Sequence, residues 1–191
     1  MKKKVIRLTE GDLRRIVNKS VRKALMEAYY DTNEGPSDEA FEEAKQLLAN
    51  LHGANRFEAK GEDHDNTAVI WWAGKTHYDE GYAYLTESDD SLKNYIVNDA
   101  ESYYAFLVDG FEQNPEMVTQ AVMAWDDAFM AEGEEPCSKE FAETIIDNAD
   151  DGDFMDRQLV LEAVIYKYGV SSVIGEAVKP YKLKCGYILY A

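Results

Sequence analysis

The sequence predicts an α+β domain: a small antiparallel sheet of three to four strands packed with about five to six helices, preceded by a basic amphipathic helix. Three observations carry this. Apolar residues recur at helical spacing over 38–52 and again from about 91 to 168. Between these blocks, residues 56–86 switch to short β-branched and aromatic runs separated by turn residues. A last apolar run, Tyr181–Tyr190, closes the chain as one further strand expected to join the earlier sheet.

The first element is the cationic helix over 8–30. Thr9 stands as its N-cap, with Asp12 at the position that closes a capping box and Leu8 and Leu13 placed as a hydrophobic staple. Leu13, Ile16, Val17, Val21, Ala24, Leu25 and Ala28 form one apolar stripe, while Arg14, Arg15, Lys19, Arg22 and Lys23 fall mainly off it. Residues 31–37 are a linker by composition, so the chain divides into a docking segment (1–30), a linker (31–37) and an acidic domain (38–191).

Within that domain a helix begins near Ser37 and stops at Gly53, with Phe41, Ala44, Leu47, Leu48 and Leu51 as its buried stripe. Arg56–Lys60, Thr67–Gly74 and Tyr82–Thr86 read as a meander, because their connections are too short for crossovers. Strand alternation sends the adjacent Trp71 and Trp72 to opposite sheet faces. A short helix over Ser91–Val97 is followed by one capped by Asn98, with Tyr103, Tyr104 and Leu107 inward. Pro115 starts another, for which Met117, Val118, Ala121, Val122, Trp125, Ala128 and Phe129 form the expected core face, with Gly133 as its stop. Ser138 begins the next helix. Phe154–Tyr168 has almost no polar face and is expected at the centre of the core. A short helix over Val170–Val178 precedes the last strand.

Charge is the clearest functional message. Lys plus Arg number 20 and Asp plus Glu 37, for a formal charge of −17. Residues 1–25 hold nine Lys/Arg against Glu10 and Asp12, a net of +7, which leaves −24 for residues 26–191. Such a body repels nucleic acid and anionic membranes and attracts basic surfaces, so direct nucleic-acid binding by it is not expected. The densest stretch, Asp126–Asp156, carries twelve carboxylates and a single Lys139. Asp126, Asp127, Glu134, Glu135, Asp147, Asp150, Asp151 and Asp153 are the candidate partner-binding residues, weighed against a merely solvated face. Arg14, Arg15, Lys19, Arg22 and Lys23 are the candidate docking residues of the N-terminal helix.

Other chemistries are weakly signalled. Asp147–Asp153 has the outline of an EF-hand loop, but Ala149 and Gln158 stand where two ligands are needed. His64 lies among Glu62, Asp63 and Asp65, a local cluster without distant ligands. No nucleophile elbow, phosphate loop or dinucleotide fingerprint occurs, so no cofactor, metal or catalytic residue is expected. Cys137 and Cys185 are too few for a disulfide framework and read as reduced thiols. The longest apolar run, Ala68–Ala73, is far short of a membrane span, and the basic start leads into a polar-interrupted helix rather than a secretory signal.

Residues 5–21, Val-Ile-Arg-Leu-Thr-Glu-Gly-Asp-Leu-Arg-Arg-Ile-Val-Asn-Lys-Ser-Val, resemble a short N-terminal helix found on otherwise unrelated proteins of gut Bacteroidales and their crAss-like phages, with Gly11 where those proteins usually have Ser. The resemblance covers about a tenth of the chain, implies a phage or mobile-element setting, and brings no catalytic residues. The expectation is therefore a non-catalytic interaction protein of that type, in the bacterial cytoplasm or a virion. Its acidic body would bind a basic protein surface, with homo-oligomers allowed. The alternative is a nucleic-acid-mimicking inhibitor of a host defence nuclease, of anti-restriction or anti-CRISPR type.

Overall fold

The structure, a computed structural model, describes residues 35–64, 66–76, 78–111, 114–130, 135–175 and 177–191. The expected N-terminal helix, with Arg14, Arg15, Lys19, Arg22 and Lys23, lies outside these residues, as do most of the linker and Glu134.

The described elements are α1 (Asp38–His52), β1 (Arg56–His64), β2 (Thr67–Ala73), β3 (Glu80–Thr86), α2 (Asp89–Asn98), α3 (Ala100–Phe111), α4 (Pro115–Ala128), α5 (Lys139–Asp150), α6 (Phe154–Tyr168), α7 (Ser171–Ile174), β4 (Pro180–Lys182) and β5 (Ile188–Tyr190). The class is α+β. One antiparallel sheet has the order β1-β2-β3-β5-β4. It has five strands rather than three to four because the final apolar run is not continuous. Leu183 N–H donates to the Tyr187 carbonyl, and Gly186, at a φ of 99°, turns the chain. The run thus splits into a hairpin whose second arm pairs with β3.

The sheet separates two apolar clusters. On one face Ile70, Ala83, Leu85 and Leu189 meet Ala40, Ala44 and Leu48 of α1. On the other, Val69 and Tyr190 join the larger core built from α2 to α7. The result is a single helix, a sheet and a helical layer, in that order. At the centre of the helical layer α6 touches α2, α3, α4, α5 and α7. Val160, Leu161, Ala163, Val164 and Ile165 of α6 are buried, as expected of a helix with almost no polar face.

Sequence-encoded caps fix the boundaries. Ser37 Oγ accepts from Ala40 N–H, Ser88 Oγ from Ser91 N–H, Ser138 Oγ from Phe141 N–H and Asp153 Oδ1 from Asp156 N–H. Gly53 ends α1 in the left-handed region at φ 65°. Asn98 does not cap α3 as expected. It is the last residue of α2, and Asp99 alone joins the two helices. Sheet and helical layer are tied where Tyr190 Oη donates to Asp89 at 2.7 Å, and within the sheet the hydroxyls of the cross-strand pair Thr67 and Thr86 bond at 2.7 Å in the interior.

Trp71 and Trp72 point to opposite faces, as alternation requires. Trp72 lies under α1, with the His52 ring stacked on it. Trp71 sits on the part of the other face beyond the helical layer, with Arg56 and Lys60 each 5.9 Å from its ring.

Candidate functional site

Among the described residues, the carboxylates of Asp126–Asp156 are not gathered at one place. Asp126, Asp127 and Glu135 stand at the entry to α5, and Asp147–Asp153 stand at its exit. Twelve residues of helix, about 18 Å, separate the two groups.

At the entry, Asp127 Oδ1 accepts from Cys137 N–H at 2.9 Å and so fixes the chain where it turns into α5. Asp126 is half-buried and Glu135 exposed. At the exit, several acidic groups are engaged internally. Tyr104 Oη donates to Asp150 at 2.8 Å. Asp153 caps α6, and the buried Asp156 accepts from Asn148 Nδ2 at 2.9 Å. Arg157 sits 5.3 Å from the Tyr104 ring and donates from Nε to the Ala149 carbonyl. It brings positive charge to the place where α5 carbonyls and carboxylates converge. Burial, then the hydrogen bond to Asp150, raises the Tyr104 hydroxyl above the usual tyrosine value.

What remains outward is a row. Glu140, Glu143, Asp147 and Asp151 are exposed, and their spacing of three or four residues puts them on one side of α5. Successive members are about 4.5–6 Å apart along the axis. The inner side of the same helix carries Ala142, Ile145 and Ala149, which are buried in the main core. The row's described cation is Lys139, whose Nζ is 3.6 Å from Glu143.

Asp147 and Asp151 from the candidate list thus belong to this row. Asp127, Asp150 and Asp153 hold chain segments together, and Glu134 lies outside the described residues. Glu140 and Glu143 were missed by sequence reasoning, although their i, i+3, i+7 relation to Asp147 was visible once α5 was placed. The EF-hand-like outline falls across the end of α5, where Ala149 is fully buried and Asp153 is spent as a cap. Among the described residues, no three His, Cys, Asp or Glu side chains are gathered as a metal-binding group. None of the described helices is long and apolar enough to cross a membrane.

A second exposed feature adjoins the entry group. Phe129 is 51% exposed and Tyr166 55%, although both continue apolar stripes. With Trp125 they form a ladder of rings on α4 and α6, successive centroids being 5.1 and 5.9 Å apart.

No family model, curated protein or solved structure matches this chain.

Proposed function

We infer that this chain is a non-catalytic interaction protein whose acidic body docks a basic protein surface through the outer side of α5. The observation that carries the reading is the row Glu140, Glu143, Asp147 and Asp151, whose carboxylates point away from a helix anchored in the core by its other side. A rigid line of like charge attracts a complementary basic groove and orients it. The phage or mobile-element setting, in the bacterial cytoplasm or a virion, is supported by the resemblance of residues 5–21.

The experiment is partner capture followed by binding measured against salt. Exposed charges are screened over about 8 Å at physiological ionic strength, so affinity should fall steeply between low salt and 0.5 M, chiefly through the association rate. Reversing Glu140, Glu143, Asp147 and Asp151 to Lys should remove binding without loss of folding. Binding that ignores both changes refutes the reading.

A nucleic-acid-mimicking inhibitor is a second reading, favoured by the regular pitch of the row. Duplex DNA carries its phosphates as a similar line of closely spaced negative charge. The mimic demands that DNA compete with this protein for the same surface of a nuclease. A partner that binds no DNA excludes it.

A further inference from the structure

We propose that the outer edge of β1 binds β1 of a second copy, antiparallel about a twofold axis at Ala59, so that two five-stranded sheets become one. This surface is separate from the outer side of α5, and the inference goes beyond the docking of a basic partner there.

β1 stands at one end of the strand order, and among the described elements it packs extensively only on β2. The edge of a sheet carries a row of N–H and C=O groups able to pair with another chain, and Lys or other charged side chains often guard it. Here the two cations of the strand are drawn inboard instead. Arg56 and Lys60 each lie 5.9 Å from the ring of Trp71 on β2. Arg56 Nη2 also donates to the carbonyl of Gly74, just past that strand, at 3.4 Å. Arg56, Glu58 and Ala59 are exposed.

The charge pattern selects the register. Residues directly opposite in an antiparallel pair lie on the same sheet face, so an axis relating two copies of one strand falls at a residue. An axis at Glu58 sets Glu58 against itself and Arg56 against Lys60 of the second copy. An axis at Lys60 sets Lys60 against itself. Like charges directly opposite are destabilising. An axis at Phe57 opposes Glu58 to Arg56, but the strand begins at Arg56, so only residues 56–58 overlap. An axis at Ala59 lengthens the overlap to residues 56–62 and sets Glu58 against Lys60 of the second copy, twice over. The small side chain of Ala59 meets its own copy, and Phe57 comes opposite Gly61, where no side chain competes for space. Within one copy Lys60 Nζ is already 3.0 Å from Glu58 Oε2. Around the axis four charges therefore alternate in sign.

The test is the light-scattering mass of the full-length protein over a wide range of concentration, read with charge reversals at Glu58 and Lys60. The unaltered protein should pass from monomer to dimer as concentration rises. Glu58→Lys opposes two cations at both symmetry-related pairs, and Lys60→Glu opposes two anions. Each should weaken the dimer at least about tenfold. The two variants mixed should dimerise with one another, because every opposed pair is again of opposite sign. Glu58→Lys with Lys60→Glu in one chain should restore self-association for the same reason. Helical dichroism checks that each variant is folded, as expected for side chains 60% and 43% exposed. A protein that stays monomeric at every concentration overturns the proposal. So does a dimer indifferent to the single reversals, or a mixture of two folded variants that does not associate. Reversing Glu140, Glu143, Asp147 and Asp151 to Lys should abolish capture of an external partner yet leave the dimer intact, so the two readings fail separately. A dimer lost with those reversals would place the second copy on α5 and likewise overturns the proposal.

Discussion

The His52 ring lies flat on Trp72, with centroids 4.5 Å apart and planes 10° from parallel. The stack joins the last turn of α1 to the end of β2. It depends on a third residue: Gly81 is the cross-strand partner of Trp72, and a Cβ there would meet Trp72 Cζ2 at 2.9 Å. The indole occupies the space that a side chain on β3 would need. Substituting Ala for Gly in a strand ordinarily gains about 0.5–1 kcal/mol, but here the clash decides the sign. Gly81→Ala should cost about 1–3 kcal/mol by overpacking, read from denaturant midpoints. In a Trp72→Leu background the same change should cost little or become favourable. Equal cost in both backgrounds would disprove the close-packing account.

The carboxylates around α5 should separate into two kinds by stability alone. Asp150→Ala removes the acceptor of Tyr104 and should cost about 1–2 kcal/mol. Asp153→Ala uncaps α6 and should cost about 1 kcal/mol. Asp147→Ala and Asp151→Ala, at exposed positions, should stay within about 0.5 kcal/mol. Thermal melting of the four variants checks this, and a uniform response would show that the internal contacts carry no weight.

Alkaline pH should unfold the protein through its buried tyrosines. Burial raises Tyr103, and burial with acceptance by Asp150 or Asp89 raises Tyr104 and Tyr190. A group whose folded pKa lies above its unfolded value lends stability that is complete below the unfolded value. That stability drains away as pH rises past it. For tyrosine the loss therefore begins near pH 10. Tyrosinate absorbance should show a late fraction that appears together with the loss of helical dichroism. Full ionisation of all 13 tyrosines in a still-folded protein would contradict the shifts.

Calcium should leave the protein unchanged. Ala149 and Gln158 stand where an EF-hand needs ligands, and Gln158 donates to the Val97 carbonyl at 3.0 Å. Chelator and millimolar calcium should give superimposable melting curves. A gain of about 2.7 kcal/mol, expected at a hundredfold excess over the dissociation constant, would reveal a site.

Much of this architecture is local chemistry and was legible in the residues. Ser37 and Ser138 mark helix starts because a short oxygen-bearing side chain can cap free N–H groups, whereas the cap made by Asp153, read as a partner-binding candidate, emerged only from the structure. Gly53 marks an end because it tolerates the left-handed conformation, and Trp71-Trp72 splits across the sheet because strand side chains alternate. The apolar run Leu159–Leu161 and Ala163–Tyr166, which leaves α6 almost no polar face, likewise assigned it to the centre of the core. Non-local contacts had no such signal. Only the tertiary structure put β5 beside β3, about a hundred residues away. Only the fold revealed that Phe129 and Tyr166 continue apolar stripes yet face outward, because helical period gives the direction of a side chain but not what lies opposite. The acidic stretch shows the same limit. Sequence counts twelve carboxylates alike, whereas the fold engages Asp127, Asp150, Asp153 and Asp156 in internal hydrogen bonds and leaves Glu140, Glu143, Asp147 and Asp151 along the outer side of α5, because the chain segments packed beside a carboxylate decide which donors lie within its reach.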